Sequence, residues 1–156
     1  MKDLFFYNWQ IREEWFEWCE SLPSEEVFKK RTGGMGSIAY NLYHIMDCEQ
    51  IWINQLQGTP VILHDMKKLT SLHDIKSFSQ LTQMTTRKFL ETYESAANER
   101  VLSIKRKNGS VCDLPHGKVL KHIVSHEIHH IGQLSVWSRE MELKPVSSDL
   151  IFRSLE

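Results

Sequence analysis

Apolar residues recur at steps of three and four along most of this 156-residue chain. This is the spacing of one face of an α-helix, whose period is about 3.6 residues. Charged and polar residues stand between them, as in amphipathic helices that pack on a shared core. The chain is therefore predicted to be all-α. The spacing is clearest near the amino terminus, at Leu4, Phe5, Ile11, Trp15, Trp18 and Leu22.

Prolines, glycines and a serine divide this pattern into separate helices. Pro23 predicts the end of the first helix, because proline lacks the backbone donor that a helix interior needs. Ser37 is a predicted N-cap for the second helix, and Gly58 marks its end. The fourth helix begins after Pro115. The predicted helices cover about residues 3–22, 37–58, 73–98 and 116–142.

Two segments between the helices have a different pattern. Residues 59–72 carry mixed signals and predict a long connection. In residues 101–114, short runs with valine and isoleucine flank Asn108-Gly109, which favours a β-hairpin turn. The sequence thus predicts a four-helix bundle with one long crossover connection and a short hairpin before the last helix. Its length fits one domain over residues 1–156.

Composition narrows the function classes. The net charge is −1 and the pI about 6.7, so no overall attraction to nucleic acid or to an anionic membrane is expected. The three cysteines form no C-x-x-C pair and are odd in number, which favours a reducing compartment over a disulfide framework. The amino terminus lacks an uninterrupted signal-peptide core, and no long apolar run is present. A cytoplasmic protein is therefore expected.

The predicted fourth helix contains the strongest chemical signal, 125-SHEIHHIGQL-134. His126 and His130 lie in its apolar stripe, one turn apart, so both imidazoles project from the same face. This spacing recurs at metal sites. Burying both rings without partners would cost about 1–3 kcal/mol for each stranded nitrogen. A cation bound by both removes that cost.

A third ligand must come from another helix. His44 lies on the apolar face of the predicted second helix and is the residue that we expect to supply it. Cys48, one turn later, is a further candidate, although a lone buried cysteine usually acts as a small apolar residue. His64, His73 and His116 are expected to be solvated. His122 and His129 lie at the edge of the apolar stripe and are expected to be exposed or, at most, to contact a metal ligand.

Three neutral nitrogen ligands fit zinc, nickel or another borderline divalent metal. They leave at least one coordination position open, as in catalytic sites. Structural zinc sites, by contrast, usually have four ligands and are rich in cysteine.

A zinc peptidase is the alternative that the motif itself suggests. His126, Glu127 and His130 match the H-E-x-x-H pattern, in which the glutamate is the general base. The longer peptidase pattern has glycine where this chain has Gln133, and no suitable third ligand follows the motif. The sequence therefore disfavours a peptidase.

Four blocks of the chain resemble the DinB-like superfamily, also called the DinB/YfiT-like metalloenzymes, and together they extend over nearly its whole length. Two of them bear the histidines, and their order in the chain is specific to that superfamily. The blocks are 8-NW-9, 36-GSIAYNLYHIMDCEQIWINQLQG-58, 114-LPHGKVLKHIVSHEIHHIGQL-134 and 145-PVSSDLIF-152.

The resemblance implies a four-helix bundle, frequently a homodimer, with zinc or nickel bound by His44, His126 and His130. Some relatives are thiol transferases that use bacillithiol or mycothiol, and a related group isomerises maleylpyruvate. Family members often have arginine where this chain has Ile131, so anion recognition at that position is not expected. The resemblance gives no reason to expect contact with DNA.

The leading hypothesis is a metal-dependent enzyme that activates a thiol or water, such as a thiol S-transferase, with a small-molecule substrate. The alternative is a noncatalytic bundle in which the metal ties two helices together, and a peptidase is third. A homodimer is also expected, because the first helix has more aromatic residues than one core-facing stripe needs. They are Phe5, Trp9, Trp15, Phe16 and Trp18.

Overall fold

A computed structural model of the protein describes residues 1–65 and 68–155. These residues form four long helices, one short helix and a two-stranded antiparallel hairpin, which confirms the predicted fold class. The helices are α1 (Lys2–Glu20), α2 (Ser24–Phe28), α3 (Ile38–Gln57), α4 (Leu72–Thr92) and α5 (His116–Glu140), and the strands are β1 (Val101–Lys105) and β2 (Val111–Pro115).

Local signals account for most of the helix boundaries. The hydroxyl of Ser37 accepts a hydrogen bond from the backbone N–H of Tyr40 at 3.1 Å, so Ser37 is the N-cap of α3 as predicted. Gly58 ends α3 in the left-handed region, with φ of 70°.

The predicted third helix is too long, because α4 ends at Thr92 and a separate 3₁₀ turn covers Ser95–Glu99. The short α2 was not predicted, since five residues are too few to show a helical period.

Contacts between the helices give their directions. Asn8 and Arg12 of α1 bond to residues 124 and 127 of α5, so these two helices run parallel. Contacts of the same kind show that α3 and α4 run parallel to each other and antiparallel to α1. Two consecutive parallel helices require a connection that returns along the bundle. Residues 58–65 and 68–71 lie on this return between α3 and α4, and residues 66 and 67 of the predicted connection lie outside the described residues.

The core of the described residues is divided into two apolar clusters by a polar layer. One cluster contains Trp15, Leu42 and Leu134, and the other contains Phe5, Ile53 and Val124. Buried polar side chains lie between the two along each helix: Arg12 on α1, Glu49 on α3, and Glu127 and His130 on α5.

The aromatic residues of α1 are mostly buried within the chain. Phe5, Trp9, Trp15 and Phe16 are each at most 4% exposed, and Trp18 is half-buried. The expectation that some of them face a partner subunit is therefore wrong for Phe5, Trp9, Trp15 and Phe16 and open for Trp18, and the homodimer itself stays a prediction. The error arose because the period of a single helix does not show that α1 is covered from several directions, by α3, α4 and α5.

None of the helices in the described part of the chain is both long and apolar enough to cross a membrane.

Candidate metal centre

Three imidazoles converge between α3 and α5. His44 comes from α3, and His126 and His130 come from consecutive turns of α5; their candidate ligand atoms all lie within 4.8 Å of one another. The Nε2 atoms of His44 and His126 are 3.1 Å apart. Two nitrogens bound to one tetrahedral zinc would be separated by roughly 3.3 Å. The spacing of this histidine cluster therefore suits a shared divalent ion.

Two side-chain amides fix the orientation of His130. Its Nδ1 lies 3.0 Å from Oδ1 of Asn41 and 2.7 Å from Oε1 of Gln133. Both oxygens are acceptors, so Nδ1 carries the proton and Nε2 keeps the lone pair. The amide nitrogen of Asn41 donates to the carbonyl of His130 at 2.9 Å, which determines which end of that amide meets the ring. Nε2 of His130 therefore has a free lone pair for a metal ion.

A glycine loop packs directly on these amides. A Cβ added at Gly34 would lie 2.8 Å from Gln133 Oε1 and 3.0 Å from Asn41 Oδ1. Gly34 also has a φ of 51°, which favours glycine. The absence of a side chain at this position lets the loop cover the two groups that orient His130.

Burial keeps the histidine cluster neutral. Burial, reinforced by the neighbouring imidazoles, lowers the pKa of His126 to about 4. Burial also lowers the pKa of His44 and that of His130, although a hydrogen bond with Gln133 partly opposes the shift at His130. The rings therefore carry lone pairs rather than protons at neutral pH, as metal ligation requires.

The hydrogen bonding of His126 is incomplete without a further group. Its Nδ1 is buried and has no partner among residues 1–65 and 68–155, while its Nε2 faces Nε2 of His44. Neutral imidazoles have one donor and one acceptor nitrogen each, so one ring must turn its only N–H toward the other. A cation held by His44 and His126 would let both rings donate lone pairs. The residues thus fit a divalent ion.

Glu127 belongs to a different cluster. Its carboxylate accepts hydrogen bonds from Arg12, at 2.8 Å from Nε and 2.6 Å from Nη2. The same Nη2 lies 2.5 Å from Glu49, and all three side chains of this Arg12 cluster are at most 2% exposed. Burial opposes the charge of Arg12, but the two carboxylates outweigh it and raise the pKa of Arg12. Glu127 therefore ties α5 to α1, and its match to the peptidase base is coincidental.

The predicted additional ligand Cys48 is not part of the histidine cluster as described. It is buried beside Trp52. Burial raises the pKa of Cys48 to about 12, and nearby carboxylates add to the shift. Cys48 is thus a neutral thiol at physiological pH rather than a thiolate ligand.

The other histidines mostly lie where the sequence predicted. Of these, His116 alone departs from the expectation, since it is half-buried rather than solvated. His129 is exposed but forms a hydrogen bond with Gln133 at 3.1 Å, which links it indirectly to His130. The exposed ones are His64, His73, His122 and His129.

Sequence reasoning missed Asn41 and Gln133. Asn41 precedes His44 by three residues and Gln133 follows His130 by three, so each shares a helix face with a candidate ligand. A side-chain amide at that spacing is the signal that could have found them, because metal-binding histidines are usually oriented by a hydrogen bond at the other ring nitrogen.

Comparison with known proteins places the chain in a family. The sequence profile of the DinB family matches residues 1–154. A protein of Bacillus subtilis (strain 168), named Uncharacterized protein YizA, is 40% identical over 156 residues, which is all of this chain and 97% of the relative. The whole-length matches agree with the helical bundle and with the paired histidine blocks of α3 and α5. This chain is a member of the DinB family.

Proposed function

We propose that His44, His126 and His130 bind one divalent metal ion, with zinc or nickel as the best candidates. The convergence of the three neutral imidazoles carries this proposal. The oriented Nε2 of His130 supports it, because a free imidazole has no need of two amide acceptors at one nitrogen. Imidazole ligands suit zinc and nickel among the common divalent metals.

We further propose that this centre is catalytic. Three protein ligands leave coordination positions for an exchangeable molecule. His44 and His126 are only half-buried, so a small molecule can reach them from solvent. A divalent ion held there lowers the pKa of a thiol or water that joins it, and so supplies a nucleophile near neutral pH.

The protein's own residues have limited roles in this scheme. The histidine cluster supplies neutral donors, and Asn41 and Gln133 hold His130 in position. Neither Glu127, paired with Arg12, nor the neutral thiol of Cys48 is available as a base or nucleophile. We infer that the nucleophile comes from outside the chain. A thiol S-transferase acting with a low-molecular-weight thiol fits this requirement, and a hydrolase acting with water is the second form.

A noncatalytic metal site is the alternative, because an ion shared by α3 and α5 would also tie these helices together. The same helices are already joined by the hydrogen bond from Asn41 to the backbone of His130 and by extensive packing. The bundle therefore has less need of a metal tie, which favours the catalytic proposal.

Removing one ligand tests the metal site. Changing His44, His126 or His130 to alanine should weaken metal binding by more than the roughly 10–100-fold that loss of an outer hydrogen-bond partner costs. The matched controls are His64→Ala and His73→Ala, which remove exposed histidines and should leave metal content unchanged. Elemental analysis and competition titration give the result. Full metal affinity in His44→Ala would rule out His44 as a ligand.

Cobalt substitution separates the catalytic site from the structural one. Adding cysteine or bacillithiol to the cobalt form should produce a sulfur-to-metal charge-transfer band, which the His126→Ala variant should lack. Both the catalytic and the noncatalytic site predict that the metal stabilises the fold, because it binds the native state. If no thiol changes the cobalt spectrum, while removal of the metal unfolds the bundle, the noncatalytic alternative replaces the enzyme.

We also propose a homodimer and a cytoplasmic location. The family resemblance supports the dimer, and the three free cysteines support a reducing compartment. Sedimentation at micromolar concentration tests the dimer, and a monomer there would contradict it.

A further inference from the structure

A cavity of about 220 Å³ opens beside the histidine cluster, between α3, α5 and β2. The proposed metal centre does not use it. Its lining residues are Trp52, Leu114, Lys118, Val119 and His122, and we call it the Trp52 cavity.

The Trp52 cavity adjoins the histidine cluster through His122. The ring of His122 lies 5.6 Å from that of His126 and 5.8 Å from that of Trp52, measured between centroids. His122 precedes His126 by one helical turn, and Trp52 follows His44 by two turns. Because α3 and α5 are antiparallel, the cluster and the cavity lie along one groove between the two helices.

The walls of the cavity are mainly apolar, and its charge is positive. Trp52, Leu114 and Val119 supply the apolar surface, and Lys118 lines the cavity with an exposed, cationic side chain. No aspartate or glutamate lines it within the described residues. Small-molecule pockets usually have volumes of about 300–1,000 Å³. The Trp52 cavity therefore suits one apolar group of a small molecule, with an anionic group near Lys118.

We propose that the Trp52 cavity binds the apolar part of a small carboxylate substrate, with its carboxylate at Lys118 and its reacting end toward the histidine cluster. This assignment rests on the proposed function, since the bound molecule would be the substrate on which the metal centre acts. The cavity itself is made only of protein side chains, so binding of the carboxylate does not require the metal.

The test uses 3-phenylpropionate as the probe and the full-length protein, both metal-free and zinc-loaded. The probe should bind both forms in a calorimetric titration, and its uncharged amide should bind more weakly. Leu114→Trp, which fills the cavity, should weaken binding by about tenfold or more. Its control is Leu102→Trp, at the cross-strand partner position of Leu114 but outside the lining.

A second variant, which changes charge rather than size, tests the cavity even if Leu114→Trp disturbs the hairpin. Lys118→Glu changes an exposed residue and should weaken probe binding by about fivefold. Its control, Lys121→Glu, changes another exposed lysine of α5 that does not line the cavity, and should leave binding unchanged. Equal weakening by both glutamate variants would overturn the proposal.

The outcomes distinguish this inference from the proposed function. Binding of 3-phenylpropionate that depends on Leu114 and Lys118 supports the cavity, even if no thiol changes the cobalt spectrum. A thiol-dependent cobalt band together with no probe binding at millimolar concentration would overturn the cavity and leave the proposed function intact.

Discussion

The two polar clusters at the centre of the bundle share α3 and α5 but differ in how fully they are closed. In the Arg12 cluster, one guanidinium joins the carboxylates of Glu49 and Glu127, and all three side chains are at most 2% exposed. In the histidine cluster, two of the three rings are half-buried. Each cluster has one buried nitrogen without a hydrogen-bond partner within the described residues, Nη1 of Arg12 and Nδ1 of His126.

This difference separates a structural cluster from a candidate reactive one. Buried charges are tolerated when they are paired, and pairing leaves them no capacity for a ligand. The carboxylates of the Arg12 cluster are committed in this way. The histidine cluster instead presents neutral lone pairs to a common point that solvent can reach, which is the condition for binding an ion or a substrate.

Removing the guanidinium of the Arg12 cluster should have the largest effect. Arg12→Met leaves Glu49 and Glu127 buried together without a counter-charge, and should lower the free energy of unfolding by about 3–5 kcal/mol. Urea unfolding of the metal-free protein measures it.

The control for Arg12→Met is Arg139→Met, which removes an exposed arginine of α5 and should change stability by no more than about 0.5 kcal/mol. Adding Glu49→Gln and Glu127→Gln to Arg12→Met should recover part of the loss, because it removes the uncompensated charges. A loss below about 1 kcal/mol for Arg12→Met would show that the cluster does not hold the bundle together.

Removing a side-chain amide beside His130 should weaken metal binding by the histidine cluster and leave the Arg12 cluster unchanged. Asn41→Ala and Gln133→Ala each remove one of the acceptors at Nδ1 of His130, and each should weaken metal binding by about 10–100-fold. Competition titration with a chelator measures the affinity.

Asn54→Ala is the matched control for Asn41→Ala, since Asn54 is a buried asparagine of the same helix that bonds to Gln50 and Thr59 instead. It should leave metal affinity unchanged. If both asparagine variants lower the affinity equally, Asn41 acts through the stability of α3 rather than through His130.

The sequence predicted the bundle and the convergence of three histidines because both follow from helical period. Ser37, Gly58 and Pro115 mark the ends of helices through local backbone chemistry. His44, His126 and His130 could be placed together because each lies on an apolar face that must turn inward.

What the sequence did not predict depends on contacts between helices. Arg12 stands directly before Glu13 and Glu14 in α1, yet its buried partners are 37 and 115 residues away. Nothing local shows that Glu127 would meet it rather than a metal. The burial of the α1 aromatics was missed for the same reason, since it depends on how many neighbouring helices cover them.

Acid should destabilise the metal-free fold through the histidine cluster as the pH falls below neutral. The pKa of His126 is lowered by burial from 6.5 to about 4, so the unfolded chain binds a proton there at a pH where the folded chain does not. Stability from this group is present above about pH 6.5 and is lost as pH falls toward 4. Metal binding should weaken over the same range, because protons compete for the ring nitrogens.

The measurement for this prediction is urea unfolding of the metal-free protein at steps from pH 7 to pH 5, above the range where most carboxylates titrate. His126→Gln should flatten the pH dependence, and His64→Ala, at an exposed position, should not. If the free energy of unfolding changes with pH in the same way in wild type and His126→Gln, His126 contributes nothing to the pH dependence.

The smallest effect on the histidine cluster is expected from Glu127→Gln, although its position in the H-E-x-x-H motif would suggest the opposite. The amide oxygen can still accept one hydrogen bond from Arg12, but the amide NH2 would face a second donor of the guanidinium, so the free energy of unfolding should fall by about 1–3 kcal/mol. Glu127 does not belong to the histidine cluster, and zinc affinity and the thiol-dependent cobalt band should therefore stay within about twofold of wild type, an energy below about 0.5 kcal/mol. Glu49→Gln, which changes the other carboxylate on Arg12, is the matched control and should behave in the same way. A cobalt band lost in Glu127→Gln but kept in Glu49→Gln would place Glu127 at the reactive centre, and the division between the two clusters would fail.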